Sequence, residues 1–108
     1  MKTEIPPGTL SLLILRTIAR IGPMHGYGIA QYVAQISNEV LQIEEGTLYP
    51  ALQKMLVKDW LSGEWRVTEN GRRARYYSLT AAGKKQLALE LENFDRVSVA
   101  IRQVIQPA

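Results

Sequence analysis

The segment from Arg66 to Arg75 carries the chain's excess of positive charge. Arg66, Arg72, Arg73 and Arg75 stand there against Glu69 alone, a local charge of +3 that equals the net charge of the whole 108-residue chain. Clustered guanidinium groups suit phosphate, which they hold by forked, charge-assisted hydrogen bonds. On a nucleic acid such contacts supply affinity and register without reading sequence. A solvated hairpin guarded by charge against edge pairing would carry the same residues. A second group lies upstream. Thr47, Tyr49, Pro50, Gln53 and Lys54 fall off the apolar side of a helical pattern made by Leu48, Leu52, Met55 and Leu56. Gln53 can pair with adenine at two points in a major groove, the Thr47 and Tyr49 hydroxyls can reach phosphates or base edges, and Lys54 suits a phosphate. For Tyr49 the other reading is a partly buried ring bonded to a neighbour. Tyr27 sits between Gly26 and Gly28 at a predicted helix start, where free amides favour an anion and a phenol can add a hydrogen bond.

Other chemistries find little support. His25 is the sole histidine and there is no cysteine, so neither a metal site nor a thiol centre is expected. His25 reads as a turn residue bonded to backbone. It has no adjacent nucleophile and orienting acid, which argues against an enzyme. No cofactor is expected either, because Gly26-Tyr27-Gly28 lacks the third glycine and preceding strand of a nucleotide loop. Trp60 and Trp65 read as packing, with a ligand pocket as the alternative role.

The elements that must position these side chains follow from periodicity. Pro6 and Pro7 lead into a helix from Thr9 to Ile21, ended by Gly22-Pro23. Its apolar residues, Leu10, Leu12, Leu13, Ile14, Leu15, Ile18 and Ile21, form nearly a girdle, which predicts burial on two sides, one of them against another chain. A second helix spans about Gly26 to Ser37, with Ile29, Val33 and Ile36 as its buried stripe and Asn38 able to take a left-handed turn. Val40, Leu41 and Ile43 suggest a brief extended segment. Glu45 to Leu61 reads as a third helix, with Glu45 to Lys58 as the part that enters a groove. Glu44 and Glu45 suit a helix start but stand close to any phosphate.

Beyond Leu61 the pattern changes to two strands, Leu61–Val67 and Arg75–Leu79, joined through Asn70-Gly71, a tight-turn signal. Thr80 caps a last helix from Ala81 to about Ile105. There Leu87, Leu91, Phe94, Ser98, Ile101 and Ile105 step by fours and threes, a heptad seam with one polar position. The alternative is a long helix folded back on its own chain. The predicted fold is α+β, mainly α: a winged helix-turn-helix over residues 1–80 and a long C-terminal dimerisation helix over 81–108. Leu10, Ile14, Leu87, Leu91, Phe94, Ile101 and Ile105 are the expected homodimer interface.

Composition agrees. Hydrophobic residues make up 46% and charged residues 21% of the chain, ordinary for one globular domain. The pI of about 9.4 fits a nucleic-acid partner. Met1 to Pro7 reads as a short mobile arm. No signal-peptide pattern and no membrane-length apolar run is seen, so no membrane partner and a cytoplasmic location are expected.

Four motifs, in order, resemble the PadR family of bacterial transcriptional regulators. They are Thr9-Leu10 with its leucine-rich helix, His25-Gly26-Tyr27-Gly28-Ile29, Glu45-Gly46-Thr47-Leu48-Tyr49-Pro50-Ala51-Leu52, and Gly71-Arg72 through Tyr76-Tyr77-Ser78-Leu79-Thr80-Ala81-Ala82-Gly83. The resemblance implies a dimeric winged-helix repressor of double-stranded DNA, its last helix pairing with the first and last helices of a partner. It also implies either a small aromatic or amphipathic compound as effector or no ligand at all. The single C-terminal helix matches the short type, and Phe94 is its only aromatic, whereas some drug-binding relatives carry a tryptophan there. The reading is a sequence-specific regulator acting on a palindromic operator. The alternative is a winged-helix module for protein interaction or ligand sensing that binds no specific DNA.

Overall fold

A computed structural model describes residues 5–6 and 8–106; most of the arm expected over residues 1–7 lies outside the described residues. The elements are α1 (Leu10–Ile21), β1 (Met24–His25), α2 (Gly26–Ile36), α3 (Glu45–Val57), β2 (Leu61–Val67), β3 (Arg73–Leu79) and α4 (Ala81–Ile105). This is the predicted winged helix-turn-helix with a long C-terminal helix.

The core is built around α1. Leu12, Ile14, Leu15 and Ile18 are buried there with Ile29 of α2, Leu48, Leu52 and Met55 of α3, Leu61 and Tyr77 of the sheet, and Leu87 of α4. Most of the apolar girdle of α1 is buried within its own chain, while Leu10 and Leu13 stay half-buried and Ile21 is 41% exposed. The helix is surrounded within its own chain, by α2, α4 and β3, and needs no second chain to cover most of it. Thr17 is buried as well, and its hydroxyl donates to the Leu13 carbonyl at 2.7 Å, so it carries no unmet hydrogen bond into the core.

Ile36, expected in the buried stripe of α2, lies on its outer side and is 67% exposed. Three further local readings change. First, α3 stops at Val57, before Lys58 and Leu61. Asp59 takes a left-handed φ of 62°, Trp60 N–H donates back to the Met55 carbonyl at 3.0 Å, and the chain turns directly into β2. The apolar residues Trp60 and Leu61 continue the helical spacing by coincidence of the turn. Second, the sheet has three strands in the order β1-β3-β2, all antiparallel. β1 is only two residues long and leaves no period-2 signal. Third, β3 begins at Arg73 rather than Arg75, opposite Val67. The connection is a five-residue loop, Thr68 to Arg72, closed by Gly71 N–H to the Thr68 carbonyl at 2.9 Å and Thr68 N–H to the Arg72 carbonyl at 2.7 Å. Gly71 alone takes positive φ, 78°, whereas a two-residue Asn-Gly turn would need it at both positions. Of the extended segment expected over Val40 to Ile43, only Leu41 forms a bridge, and it is isolated. Asn38 is left-handed as expected, with a φ of 53°.

One corner ties α3, β2 and α4 together. The Thr80 hydroxyl donates to the Asp59 carbonyl at 2.5 Å and accepts from Gly83 N–H at 2.9 Å, capping α4. Thr80 N–H donates to the Trp60 carbonyl at 3.2 Å. Along α4, Glu90 joins α1 by accepting from Ser11 Oγ at 2.5 Å and from Gln86 Nε2 at 2.8 Å. Past Leu91 the helix leaves the core, and Phe94, Val97, Val99, Ile101, Val104 and Ile105 are all exposed. That projection stretches the molecule to 56 × 33 × 22 Å.

Candidate nucleic-acid interface

The outward face of α3 is set by how the helix is anchored. Leu48, Leu52 and Met55 are buried, and they recur at helical spacing on one side. Thr47, Tyr49, Pro50, Gln53 and Lys54 are consequently turned outward and exposed. Glu44 occupies the N-cap position, where its carbonyl accepts from Thr47 N–H at 3.0 Å and Leu48 N–H at 2.9 Å. Its carboxylate makes no capping bond. The amides at the front of α3 are thus not consumed by an acid side chain, although Glu44 and Glu45 remain exposed beside them.

The wing has two faces of different character, and strand register decides which arginine lies on which. Directly opposed residues share a face. Leu61, Gly63, Trp65 and Val67 therefore stand with Leu79, Tyr77, Arg75 and Arg73, and Ser62, Glu64 and Arg66 with Ser78, Tyr76 and Ala74. On the second face Arg66 is neutralised by Glu64 at 2.9 Å and lies over the Tyr76 ring, 5.2 Å from its centroid. His25 meets Tyr76 edge-on at 5.2 Å, and its Nδ1 accepts from Gly28 N–H at 2.9 Å, capping α2. The sole histidine is thus the backbone-bonded turn residue that the sequence suggested.

The first face is the one that opens beside α3. The Arg73 guanidinium lies over the Trp65 ring, 5.4 Å from its centroid, held by cation–π attraction. Arg75 crosses the sheet diagonally onto Gly63, where a β-carbon would run into its guanidinium. A cleft of about 390 Å³ separates this face from the helices, lined by His25, Gly26, Tyr27, Tyr49, Trp65, Arg73, Ala74, Arg75 and Tyr77. Tyr49 forms its α3 wall. The ring lies on the backbone of Gly26, whose missing β-carbon would sit 2.9 Å from Tyr49 Cε1, yet it remains 45% exposed. One side of the ring thus packs on α2 while the rest faces outward. Burial pushes the Tyr77 phenol above its ordinary pKa, against the opposing pull of the Arg75 charge. It stays protonated and able to donate.

Tyr27 is exposed on the first turn of α2, and its hydroxyl accepts from Gln31 Nε2 at 3.2 Å. Thr47, Tyr49, Gln53 and Lys54 thus lie on one helix, Arg73 and Arg75 on the facing strand, and Arg72 in the wing loop. Gly63 and Tyr77 are not among the site residues expected from the sequence, and Trp65 is expected only as packing or as the lining of a ligand pocket. Alternation along β2 and β3 puts each set on one face, but only the register makes the faces coincide.

A model of the transcriptional regulator PadR-like family matches residues 14–89, more than half of the chain. The chain belongs to the PadR-like family of transcriptional regulators. This places it among regulators of transcription and not among enzymes. An uncharacterized protein of Lysinibacillus sphaericus is similar, 31% identical over 88 residues that cover 82% of this chain and 80% of that protein. A PadR family transcription regulator from Clostridium difficile R20291 has a similar structure, with a TM-score of 0.77, 26% identity, and coverage of 92% of this chain and 100% of that one. A transcriptional regulator from Clostridium thermocellum shares the fold, with a TM-score of 0.84 at 23% identity over 92% of this chain and 95% of that one. Among the described residues no helix is long and apolar enough to cross a membrane.

The residues expected at a dimer interface divide. Ile14 is wholly buried and Leu87 is only 7% exposed, so both belong to the single-chain core and offer no surface to a partner. Leu10 and Leu91 are half-buried against that core. Phe94, Ile101 and Ile105 are exposed.

Proposed function

We propose that this PadR-like regulator is a homodimeric, sequence-specific repressor that blocks transcription from a palindromic operator in the cytoplasm. The observation that carries the reading is the pairing of an outward polar face on α3 with a wing whose Arg73 and Arg75, without a salt bridge among the described residues, face the same cleft. Thr47, Tyr49, Gln53 and Lys54 enter a major groove, while Arg72, Arg73 and Arg75 engage the adjacent backbone or minor groove, and Tyr27 reaches a phosphate at the start of α2. Residues 1–80 form the DNA-binding unit. Residues 81–108 form the dimerisation helix, whose first turns are built into that unit's core and whose exposed stretch, with Phe94, Ile101 and Ile105, meets the partner. Two-fold symmetry sets half-sites about one helical turn apart, on the order of 34 Å. A small aromatic effector would act by changing the distance between the two α3 helices.

The test is a gel-shift comparison on specific and random duplexes. Gln53→Ala is expected to weaken specific binding by about tenfold and leave random-sequence binding alone, as loss of one bidentate base contact does. Arg73→Ala is expected to weaken both and flatten the salt dependence. Unchanged binding by both variants would refute the assignment of this surface.

A further inference from the structure

Among the described residues, one buried side-chain nitrogen or oxygen atom lacks a hydrogen-bond partner: Arg75 Nε. A buried donor with no acceptor costs free energy and calls for an explanation. The surroundings supply one. Gly63 leaves the space in which the guanidinium lies. Tyr49 and Tyr77 line the same cleft. The other guanidinium on this face, Arg73, is already stacked on Trp65, so the two arginines are held apart and differently tethered. No carboxylate lines the cleft. A concave site with fixed cationic and hydroxyl donors and no anion of its own is built for an oxyanion.

Resting on the DNA-binding reading above, we propose that the cleft between the first turn of α3 and the base of the wing seats a single phosphate group. The Arg75 guanidinium holds it with the Tyr49 and Tyr77 hydroxyls beside it, Gly63 keeps the seat open, and the occupant is one backbone phosphodiester of the bound duplex. Gly63 and Tyr77 are positioning residues in this arrangement, and Arg75 contacts the phosphate. The wing then does two jobs. Its loop, with Arg72, meets the duplex from outside, and its base locks one phosphate against the reading helix, fixing how deeply α3 sits.

Gly63→Ala is the discriminating variant, because a β-carbon there displaces only the end of a flexible side chain and leaves the sheet in place. Its thermal midpoint is expected to stay within a few degrees of the wild type. Duplex affinity is expected to fall about tenfold, the loss of a charge-assisted contact. The log–log salt slope should become shallower by about 0.9, one phosphate. Arg75→Ala should match it, and the double variant should be no weaker than either single one. Tyr49→Phe keeps the ring over Gly26 and should weaken binding several-fold without changing the salt slope, which provides a readout even if Gly63→Ala fails to fold. Inorganic phosphate against chloride at matched ionic strength distinguishes the source of the group. If phosphate displaces duplex more strongly in the wild type but not in Arg75→Ala, the seat also takes free phosphate. If the two salts act alike, it takes only the phosphodiester. Full-strength binding by Gly63→Ala and Arg75→Ala, with Gln53→Ala still weakened, would overturn the seat and leave the reading helix standing. Full-strength binding by all three would overturn both.

Discussion

Gly83→Ala should destabilise this protein, although helix propensity alone predicts the reverse. Gly83 is buried in the first turn of α4 with helical backbone angles, so nothing in its conformation requires glycine. Replacing a mid-helix glycine by alanine normally stabilises by about 0.8–1.0 kcal/mol. Here the added β-carbon would strike the Trp60 carbonyl oxygen, with the Trp60 carbonyl carbon at 3.0 Å and Leu79 Cδ2 at 3.3 Å. The obstacle is backbone and is fixed in place, because the same carbonyl accepts from Thr80 N–H and the neighbouring Asp59 carbonyl accepts from the Thr80 hydroxyl. Overpacking against an unyielding wall costs about 1–3 kcal/mol, sometimes more, and loss of the Thr80 backbone bond adds about 1 kcal/mol. After the propensity gain, a net loss of about 1–3 kcal/mol remains. For a domain of this size each kcal/mol lowers the midpoint by roughly 4–8 °C. Urea denaturation followed by circular dichroism and tryptophan emission would measure it, and Trp60 reports directly on the corner. A variant as stable as the wild type, or more so, would refute the claim that α4 is clamped against the end of α3.

Three further outcomes follow from the same geometry. Thr80→Ala removes both the cap on Gly83 N–H and the bond to Asp59, and should cost about 1–2 kcal/mol in urea denaturation. Because Tyr77 is held above its ordinary pKa by burial, its contribution is fully present below the unfolded tyrosine pKa, near 10, and is lost as pH rises through the folded value. Stability should therefore fall on moving from pH 9 into stronger alkali, less steeply in Tyr77→Phe, as denaturation midpoints across that range would show. Ile101→Glu, on the exposed length of α4, should turn a dimer into a monomer in sedimentation while leaving helical content unchanged; an unchanged mass would place the interface elsewhere.

The fold was legible because its helices state their periods plainly. Leu48, Leu52 and Met55 mark the buried side of α3, Thr80 marks the start of α4, and the basic run from Arg66 marks the wing. What stayed hidden depends on contacts between elements. The girdle on α1 looks the same whether a second chain or three neighbouring elements cover it, and only the packing of α2, β3 and α4 decides. Ile14 and Leu87 fit a heptad or helical stripe equally well inside a core or between chains. β1 is too short to show alternation. The wing arginines read as one cluster, yet register assigns Arg66 to Glu64 on one face and Arg73 and Arg75 to the cleft on the other. Gly63 and Gly83 matter because of what would meet their missing β-carbons, and no local pattern encodes that.

The central claim is that paired α3 helices read a symmetric DNA site. Selection of bound duplexes from a random-sequence pool by the full chain tests it most directly. Enrichment of a palindromic motif with half-sites about one helical turn apart is expected, and its loss from the pool selected by Gln53→Ala. A pool that stays random after repeated rounds, or converges on an asymmetric single site, would contradict it.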